Sequence, residues 1–406
     1  MDQKNRCGVS YVSLLLFREY SIFMKILFCN YEYPPLGGGG GVVNALLAEE
    51  LAKRHEVTVL TSQGLGLSEN SVQGGVNIIR VPVFFRRKAA AANLISMLMF
   101  LPMGIQVGKK LVERERFDIV NTHFVLPSGP VGDAIARHVG IPNVLSVHGG
   151  DLYDPSKAMS PHRHAILRMW INSLLGRADK VIGQSTNTID NVHRFYDTEI
   201  SPMRIPLGIA KPPLEPCDRK DFGWSDGEIL LVTVGRIVAR KGMDQLITLM
   251  KRFKGDPIRL VIVGSGPQEA SLKNLALQYQ VENQIHFMGA VSDQDKFRIL
   301  QMSDLYVSTS QHEGFGLVFL EAMACGLPII CYDHGGQTDF LHDGEHGFLV
   351  PLNALDSFEG KCRDLVKNPE VRYMMEAKNK ENAKHYFIDQ CARQYEQVFQ
   401  ELTLHP

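Results

Sequence analysis

Two glutamates that stand eight positions apart could do chemistry on one ligand. Glu313 lies in the turn Glu313-Gly314-Phe315-Gly316-Leu317, and Glu321 lies two turns into the apolar helix that this turn is expected to start. The two carboxylates can therefore reach different parts of an elongated ligand. The N–H groups of residues 314 to 317 would lie at the helix N-terminus, where they can bind a phosphate. Two solvated glutamates are the alternative, which the glycines and the apolar helix disfavour.

Two cations follow an apolar run that ends at Val234. Gly235 and Arg236 come next and Lys241 follows five residues later, so both cations are expected at one strand-to-helix turn. Such a pair suits a diphosphate, because charge-assisted contacts contribute roughly 1.5 to 3 kcal/mol each and strengthen as the leaving group gains charge. A solvated surface pair is the alternative. The next strand-like run ends at Gly264-Ser265-Gly266, a turn that lets the backbone approach a phosphate or a base.

A glycine run, Gly37 to Gly41, stands between the first strand-like run and a helical pattern. Backbone N–H groups there can meet an anion, although a flexible turn would also explain the glycines. A dinucleotide-binding site would need a carboxylate at the end of the next strand to hold the ribose. That strand ends Thr61-Ser62-Gln63, so a nicotinamide enzyme is disfavoured.

Two histidines end strand-like runs of the first half. A neutral imidazole at the position of His148 can hydrogen-bond a hydroxyl or the reacting centre, and His123 has a similar position with a weaker claim. Satisfied structural histidines are the alternative for both. Asp151 could orient an acceptor, but a helix N-cap explains it equally well.

The string Asp293-Gln294-Asp295 superficially matches the carboxylate pair of metal-dependent transferases. Ser292 precedes it and an apolar helix follows, which predicts an N-cap with favourable first-turn charges. With Arg236 and Lys241 available, no metal ion is needed to neutralise a diphosphate, so we expect no metal site and no cofactor.

The elements that must position these residues come in two series of strand-like runs alternating with helical patterns. This pattern predicts an α/β fold with two doubly wound, Rossmann-like domains whose strand ends face a cleft. The first series is Ile26–Asn30, Val57–Thr61, Ile78–Val81, Ile119–Thr122, Val144–His148 and Val181–Gln184. The second is Ile229–Val234, Arg259–Val263, Ile285–Phe287, Leu305–Ser308, Ile329–Tyr332 and Gly347–Val350.

The domain boundaries follow from these runs. We predict an extension over residues 1–23, an acceptor-binding domain over 24–210, a proline-rich linker over 211–218, and a nucleotide-sugar-binding domain over 219–385. Residues Met374 to Leu402 predict a long polar surface helix, and the part from 386 to 406 is a candidate to return to the first domain.

The chain resembles glycosyltransferase family 4, whose members are retaining enzymes with the GT-B fold, over about residues 24 to 385. The resemblance implies that Glu313 contacts the donor hexose, that Glu321 contacts the ribose hydroxyls, and that Arg236 and Lys241 bind the phosphates. It places His148 beside the donor sugar and likens Pro206-Leu207-Gly208-Ile209 to the family's hinge, with Leu207 in place of the usual asparagine. The donor-binding residues expected in all are Gly38, Gly39, Gly235, Arg236, Lys241, Gly264, Gly266, Phe287, Met288, Glu313, Gly314, Phe315, Gly316, Leu317 and Glu321, with base contacts from the backbone near Phe287 and Met288.

Composition agrees with two large domains. The 406 residues exceed one usual core, the net charge of -1 gives no reason to expect a nucleic-acid partner, and the seven scattered cysteines are typical of reduced thiols inside a cell. The stretch from Ala89 to Gly108 has no charged residue and has basic flanks. A buried helix and a helix that docks residues 86–110 on a membrane surface both remain open, and its polar residues and alanines disfavour a membrane span.

The expectation is therefore a cytosol-facing, metal-independent retaining transferase, either free or peripheral on the inner face of the membrane. It would move a hexose-type sugar from a nucleoside diphosphate donor to a glycan or lipid-linked acceptor in surface polysaccharide or glycolipid assembly. His148, Glu313, Arg236 and Lys241 are the expected catalytic residues, with His123 and Asp151 on the acceptor side. The alternatives are a non-catalytic nucleotide-sugar-binding protein and a sugar phosphorylase or epimerase of the same architecture.

Overall fold

The structure is a computed structural model that describes residues 22–86, 93–154, 159–196, 199–213 and 215–404. Residues 1–21, which make up most of the predicted extension, lie outside the described residues. So do residues 87–92 of the predicted membrane-docking stretch and residue 214 of the predicted linker.

Over its described residues, the N-terminal half contains eight strands: β1 (Lys25–Asn30), β2 (Glu56–Ser62), β3 (Asn70–Gln73), β4 (Val76–Val81), β5 (Ile119–His123), β6 (Asn143–Val147), β7 (Lys180–Gly183) and β8 (Met203–Arg204). They form one sheet in the order β3-β4-β2-β1-β5-β6-β7-β8, and only β3 and β4 pair antiparallel. The connecting helices are α1 (Gly39–Ala52), α2 (Leu94–Arg114), α3 (Ser128–Val139), α4 (Ala165–Arg177) and α5 (Thr186–Phe195).

The C-terminal half is built on six strands: β9 (Ile229–Val234), β10 (Ile258–Val263), β11 (Ile285–Gly289), β12 (Leu305–Ser308), β13 (Ile329–Tyr332) and β14 (Gly347–Val350). They are all parallel, in the order β11-β10-β9-β12-β13-β14. The helices are α6 (Met243–Arg252), α7 (Glu269–Tyr279), α8 (Asp293–Met302), α9 (Leu317–Ala324), α10 (Leu355–Lys367), α11 (Pro369–Ala383) and α12 (Ile388–Leu404).

The predicted α/β class with two doubly wound halves is confirmed. Each of the twelve predicted runs overlaps a strand, because strands covered on both faces are nearly continuous apolar runs. In both sheets the order reverses next to the first strand of the half, at β1 and at β9. Parallel sheets of this kind bind ligands at the carboxyl ends of their strands, beside that reversal.

The two halves meet along the carboxyl ends of their sheets. Ser185 Oγ donates to the carbonyl of Gly314 at 2.9 Å, and the N–H of Thr186 donates to Asp339 Oδ2 at 2.7 Å. Gly39 also faces the second half, since a Cβ added there would lie 3.7 Å from Leu317 Cδ1. The cleft between the sheets is therefore bridged by direct contacts.

The long polar helix predicted from Met374 to Leu402 is wrong, because this segment contains two helices. Helix α11 ends at Ala383, and Phe387 is extended (φ -71°, ψ 151°) before α12 begins. The break lets the chain cross the hinge stretch 206–209, which leads into the linker. Ile209 N–H donates to the Tyr386 carbonyl and Ile388 N–H donates to the Ile209 carbonyl, each at 2.9 Å. Backbone pairing with this stretch replaces the helical bonds at this point.

Helix α12 then packs on the N-terminal half through a buried apolar face. Tyr395, Val398 and Phe399 join the core under β1 and α1. Tyr395 also hydrogen-bonds Ser146 Oγ at 2.9 Å, and Glu396 accepts from Arg54 Nη2 at 2.8 Å. The C-terminal segment therefore ties the two halves together.

Helix α2 lies partly on the surface. It is long and apolar enough to cross a membrane by length and composition alone, with a mean hydropathy of 1.3, and 28% of its most apolar window is buried. Its buried side packs closely on α3, because a Cβ at Gly104 would lie 3.1 Å from Val131 Cγ1 and one at Gly108 would meet Ile135. A different face of its first turns is exposed, at Leu94, Ile95 and Leu98.

Candidate active site

Glu313 and Lys241 form a buried ion pair at the centre of the cleft. β9 and β12 are parallel neighbours, so the residues that follow them emerge side by side at the same edge. Lys241 Nζ lies 2.5 Å from Glu313 Oε1. Burial alone raises the pKa of Glu313, but the charges of Lys241 and Arg240 outweigh it and lower the pKa to about 2. The carboxylate is therefore ionised at neutral pH and can accept hydrogen bonds from sugar hydroxyls.

Arg240 is a site residue that the sequence analysis missed. Its Nη1 lies 3.3 Å from Glu313 Oε2 and also donates to the His312 carbonyl. The position was recognisable in principle, because Arg240 stands beside Lys241 in the chain. It brings three cations, with Arg236 and Lys241, to the turn after β9.

Arg236 is the exposed member of the three. Its side chain makes no ion pair or hydrogen bond with any residue that the structure describes. An exposed guanidinium at a strand end is free to bind an anion. Of the predicted phosphate-binding pair, the structure thus leaves Arg236 available and holds Lys241 against Glu313.

The glycines after β9 and β10 permit close backbone packing. A Cβ at Gly235 would lie 3.3 Å from Lys241 Cε, so its absence lets the lysine side chain lie across the turn. A Cβ at Gly264 would lie 2.0 Å from the Gly235 carbonyl oxygen, and one at Gly266 would lie 2.2 Å from that of Ile237. Packing between the two turns explains these glycines, and donor contacts at Gly264 and Gly266 stay a prediction.

The turn after Glu313 leads into α9. Gly316 precedes the helix with φ +96°, a conformation that favours glycine, and the first turn of α9 contains no acidic residue. Phe315 is buried against Phe340, with ring centroids 5.3 Å apart, and anchors the turn. The N-terminus of α9 is thereby held facing the cleft, next to Gly39 of the other half, where a phosphate can meet its N–H groups.

Glu321 makes a separate ion pair inside the C-terminal half. Its Oε1 lies 2.7 Å from Lys296 Nζ, which also contacts Asp293 Oδ1 at 3.0 Å. Burial raises the pKa of Glu321, and Lys296 opposes that rise. The structure therefore puts Glu321 about one turn into α9, apart from the Glu313 cluster, as an elongated ligand would require.

The predicted N-cap at Ser292 is confirmed. Its Oγ accepts the N–H of Asp295 at 3.1 Å, and Asp293 and Asp295 lie in the first turn of α8. These carboxylates serve the helix N-terminus and the pair with Lys296.

His148 follows β6 and lies directly against the turn that contains Glu313 and Gly314. Its carbonyl oxygen would lie 3.3 Å from a Cβ at Gly314, and its ring stacks on Phe124 with centroids 4.3 Å apart. Burial lowers the pKa of His148 to about 4, so the imidazole is neutral at physiological pH. A neutral imidazole can exchange hydrogen bonds with a sugar but carries no charge to attract the diphosphate.

His123 and Asp151 lie behind His148 in this structure. His123 is fully buried, and its Nδ1 lies 3.0 Å from His148 Nε2. The two oxygens of Asp151 accept the backbone N–H groups of His148 and Val125 at 2.9 and 2.8 Å. Both residues thus hold the strand ends of the first half, and their predicted contact with the acceptor stays a prediction.

The glycine run from Gly37 to Gly41 contacts the carboxylate of Glu32. Gly38 N–H donates to Glu32 Oε2 at 3.2 Å just before α1, and the sequence analysis missed this residue. A Cβ at Gly38 would meet no atom of the described residues within 4 Å, so the space above it is open.

Phe287 and Met288, the predicted base-contact residues, lie on β11 at the edge of the second sheet. Lys273 Nζ lies 5.2 Å from the Phe287 ring.

One cluster among the described residues has ligand types for a metal, namely His342, Glu345 and His346. The Nδ1 atom of His346 accepts the N–H of His342 at 3.0 Å, which places its own proton on Nε2. A metal-bound histidine instead donates its second ring N–H to a neighbour and leaves the other nitrogen bare. The geometry of this cluster therefore argues against metal binding.

Comparisons with known proteins agree with the two-part organisation. The family model described as Glycosyl transferases group 1 matches residues 215–384, and the model described as Glycosyltransferase Family 4 matches residues 37–209. N-acetyl-alpha-D-glucosaminyl L-malate synthase of Bacillus anthracis is 25% identical over 394 residues, which cover 93% of this chain and 97% of that protein.

Solved structures share the fold over nearly the whole chain. Sucrose-phosphate synthase from Thermosynechococcus elongatus has a TM-score of 0.82 at 21% identity, covering 95% of this chain and 100% of that one. Anabaena HepE, solved in complex with UDP-glucose, has a TM-score of 0.74 at 19% identity, covering 93% of this chain and 100% of that one.

Proposed function

The chain belongs to the family 4 glycosyltransferases of the GT-B fold, and we propose that it transfers a hexose-type sugar with retention of configuration and without a metal ion. The donor in this proposal is a nucleoside diphosphate sugar, and the acceptor is a glycan or a lipid-linked saccharide. In this proposal the enzyme works in polysaccharide or glycoconjugate synthesis, which is supported by a Bacillus subtilis relative named as a putative teichuronic acid biosynthesis glycosyltransferase.

The observation that carries the proposal is the charge cluster at the turn after β9. Arg236, Arg240 and Lys241 supply three positive charges, and Glu313 supplies one negative charge at 2.5 Å from Lys241 and 3.3 Å from Arg240. The excess of two positive charges, together with the N-terminus of α9, supports binding of a diphosphate without a divalent cation. The same carboxylate remains ionised to accept hydroxyls of the hexose.

In the proposed reaction the acceptor hydroxyl approaches the anomeric carbon from the face that the phosphate leaves. The bond from the anomeric carbon to the phosphate oxygen breaks as the bond to the acceptor oxygen forms. The acceptor proton passes to the departing phosphate, so no protein nucleophile is needed. Arg236 and Lys241 would stabilise the charge that develops on the diphosphate, and neutral His148 would hydrogen-bond the sugar.

Donor identity is proposed from named relatives. HepE was solved with UDP-glucose, and the Bacillus anthracis relative is named for an N-acetylglucosaminyl transfer, so UDP-glucose and UDP-N-acetylglucosamine are the first donors to test. UDP, GDP and ADP should first be compared for thermal stabilisation, because a ligand that binds the native state raises the unfolding temperature. The proposal requires UDP to stabilise the protein most.

Stereochemistry then tests the reaction itself. Proton NMR of the product of an α-linked donor should show an α-linked sugar and equimolar nucleoside diphosphate. A β-linked product would contradict retention. Release of sugar phosphate, or conversion of the donor without loss of nucleotide, would favour the phosphorylase or the epimerase, and tight donor binding without turnover would favour the non-catalytic protein.

We also propose that the start of α2 docks on the cytoplasmic face of a membrane that carries the acceptor. Phe84, Phe85, Leu94, Ile95 and Leu98 are each more than half exposed and lie on either side of residues 87–92. The links between them are short, since Asn93 Nδ2 donates to the Phe85 carbonyl at 2.6 Å. An exposed apolar group favours the membrane interface, and basic neighbours add a preference for an anionic bilayer. Of the basic residues that the sequence places beside this group, Arg86 is buried and donates to the Tyr31 carbonyl at 3.0 Å, so the proposed preference rests on Arg87 and Lys88 of the sequence.

Vesicle cosedimentation tests the docking. Wild-type protein should sediment with phosphatidylglycerol vesicles and much less with phosphatidylcholine vesicles, and the double change Phe85→Ser with Leu98→Ser should abolish binding. Leu277→Ser in α7 is the matched control, because Leu277 is 57% exposed in the other half. Equal binding by the double variant and wild type would rule out this surface.

A further inference from the structure

A row of three buried side chains runs from the interior of the first half to the cleft. Asn121 Nδ2 lies 2.9 Å from His123 Nε2, and His123 Nδ1 lies 3.0 Å from His148 Nε2. Asn121 and His123 have no solvent exposure, and His148 has 8%. His123 is fixed in place by Phe28, whose ring stacks on it with centroids 5.4 Å apart.

The hydrogen bonds in this row have one direction. With the Asn121 amide oriented as in the structure, its nitrogen faces His123 Nε2. An amide nitrogen only donates, so in this orientation His123 Nε2 carries no proton. A neutral imidazole carries one ring proton, and His123 therefore holds it on Nδ1 and donates it to His148 Nε2. By the same reasoning the proton of His148 lies on Nδ1. Burial keeps both rings neutral, since it lowers the pKa of each below the ordinary histidine value.

The row ends in an unused donor. His148 Nδ1 is buried and has no partner within hydrogen-bond distance and angle among the described residues. The nearby Gln184 side chain donates to the His148 carbonyl at 2.8 Å and opposes the lowering of the ring's pKa. A buried donor without a partner is energetically unfavourable, so a ligand oxygen that accepts this N–H would gain binding free energy. The Phe124 ring stacks on the imidazole, and Asp151 accepts the backbone N–H of His148. These two contacts keep the imidazole from rotating away.

We propose that Asn121 and His123 are positioning residues that fix the tautomer of His148, so that it presents an N–H and not a lone pair to the substrate. The group that receives this hydrogen bond is a hydroxyl oxygen of the donor sugar, an assignment that rests on the proposed function. In this tautomer Nδ1 cannot accept the acceptor's proton. The row thus excludes His148 as the general base and leaves that task to the departing phosphate.

Two substitutions at His123 separate a tautomer effect from a packing effect. His123→Asn retains an amide N–H near the position of Nδ1 and can still donate to His148 Nε2. His123→Phe keeps a ring of similar shape and removes that donor. Asn121→Leu is a third variant. It keeps His123 and removes only the amide N–H that places the ring proton of His123 on Nδ1.

The first readout is the tautomer itself, measured without substrate by long-range 1H–15N NMR on protein with labelled histidines. Wild type and His123→Asn should show the proton of His148 on Nδ1, and His123→Phe and Asn121→Leu should show it wholly or partly on Nε2. A wild-type His148 that carries its proton on Nε2 would overturn the proposal. This outcome would leave the proposed function intact, because UDP stabilisation is measured separately.

The second readout is transfer at saturating donor. His123→Phe should lower kcat at least about tenfold, as expected for one lost hydrogen bond to the reacting sugar, and His123→Asn should retain most of it. UDP stabilisation should be equal in all variants, since UDP lacks the sugar. If His123→Asn loses as much kcat as His123→Phe although its tautomer is unchanged, or if His123→Phe keeps full kcat with the proton moved, the tautomer has no role and the proposal fails.

Discussion

Lys241 Nζ lies 2.5 Å from Glu313 Oε1, which joins the turn after β9 to the turn after β12 across 72 positions of the chain. Both side chains are largely buried, at 12% and 8% exposure. The pair therefore stabilises the fold as well as the site, since removing one partner of a buried ion pair leaves the other uncompensated. Arg236, which follows the same strand, has no such partner within the described part of the chain, and this difference separates the roles of the two predicted phosphate ligands.

Lys241→Met should lose both activity and stability, and Arg236→Met should lose activity alone. Each change removes a charge-assisted contact to the diphosphate, so kcat/KM should fall at least about tenfold in both. The unfolding free energy should fall on the order of 3 kcal/mol for Lys241→Met, but within about 0.5 kcal/mol of wild type for Arg236→Met. Urea denaturation and steady-state kinetics measure the two effects, and equal stability losses would contradict the assignment.

Glu313→Gln should change how stability depends on pH. Because the folded pKa of Glu313 is lowered from 4.5 to about 2, its contribution is fully present above pH 4.5 and is lost as the pH falls through the folded pKa. Wild type should therefore lose about 1.4 kcal/mol of this contribution between neutral pH and about pH 3.5. Glutamine does not titrate, so the stability gap between wild type and the variant should narrow by that amount in urea titrations. A gap that stays constant would refute the depressed pKa.

Glu321→Gln should weaken nucleotide binding more than it slows transfer. The proposed contact is to the ribose, which does not change in the reaction, so the loss should appear as an approximately tenfold rise in the Kd of UDP with kcat nearly unchanged. Lys296 keeps Asp293 at 3.0 Å and remains partnered. Calorimetric titration with UDP checks this. Glu381→Gln, in an exposed pair with Lys384, is the control and should bind UDP like wild type.

The sequence predicted the strands well where burial leaves a clear pattern and poorly where it does not. β9 and β12 are mostly apolar and almost wholly buried, and both were placed to the residue. β3 is Asn-Ser-Val-Gln at the exposed edge, and β8 has only two residues, so neither carries an apolar run. The break before α12 was missed because Met374 to Leu402 contains no glycine or proline, and the cause is pairing with a linker far away in the chain.

The site residues also fall into those that the sequence pattern predicted and those that only the folded structure shows. Glu313, Lys241 and the turn before α9 were found because their spacing along the chain defines them. Lys296 was missed because its approach to Glu321 depends on how α8 packs beside α9. Asn121 was missed because a neutral amide at a strand end has no charge or spacing pattern, and only its contact with His123 shows its use.

Gly208→Ala should destabilise the protein at the crossing of the linker and the C-terminal segment. A Cβ at Gly208 would lie 2.6 Å from Ile388 Cα and 3.0 Å from Cys391 Cβ, so the two backbone segments must separate. This crossing also carries the hydrogen bonds of Ile209 with Tyr386 and Ile388. We expect a loss of about 1–3 kcal/mol in unfolding free energy. The rate of sugar transfer should fall as well, because this crossing sets how the two halves face each other.

Gly360→Ala in α10 is the matched control, because an added Cβ there meets no atom of the described residues within 4 Å. This change should instead raise the unfolding free energy by up to about 1 kcal/mol. If the urea midpoints of both variants move in the same direction, the close crossing at Gly208 does not determine the stability of the protein.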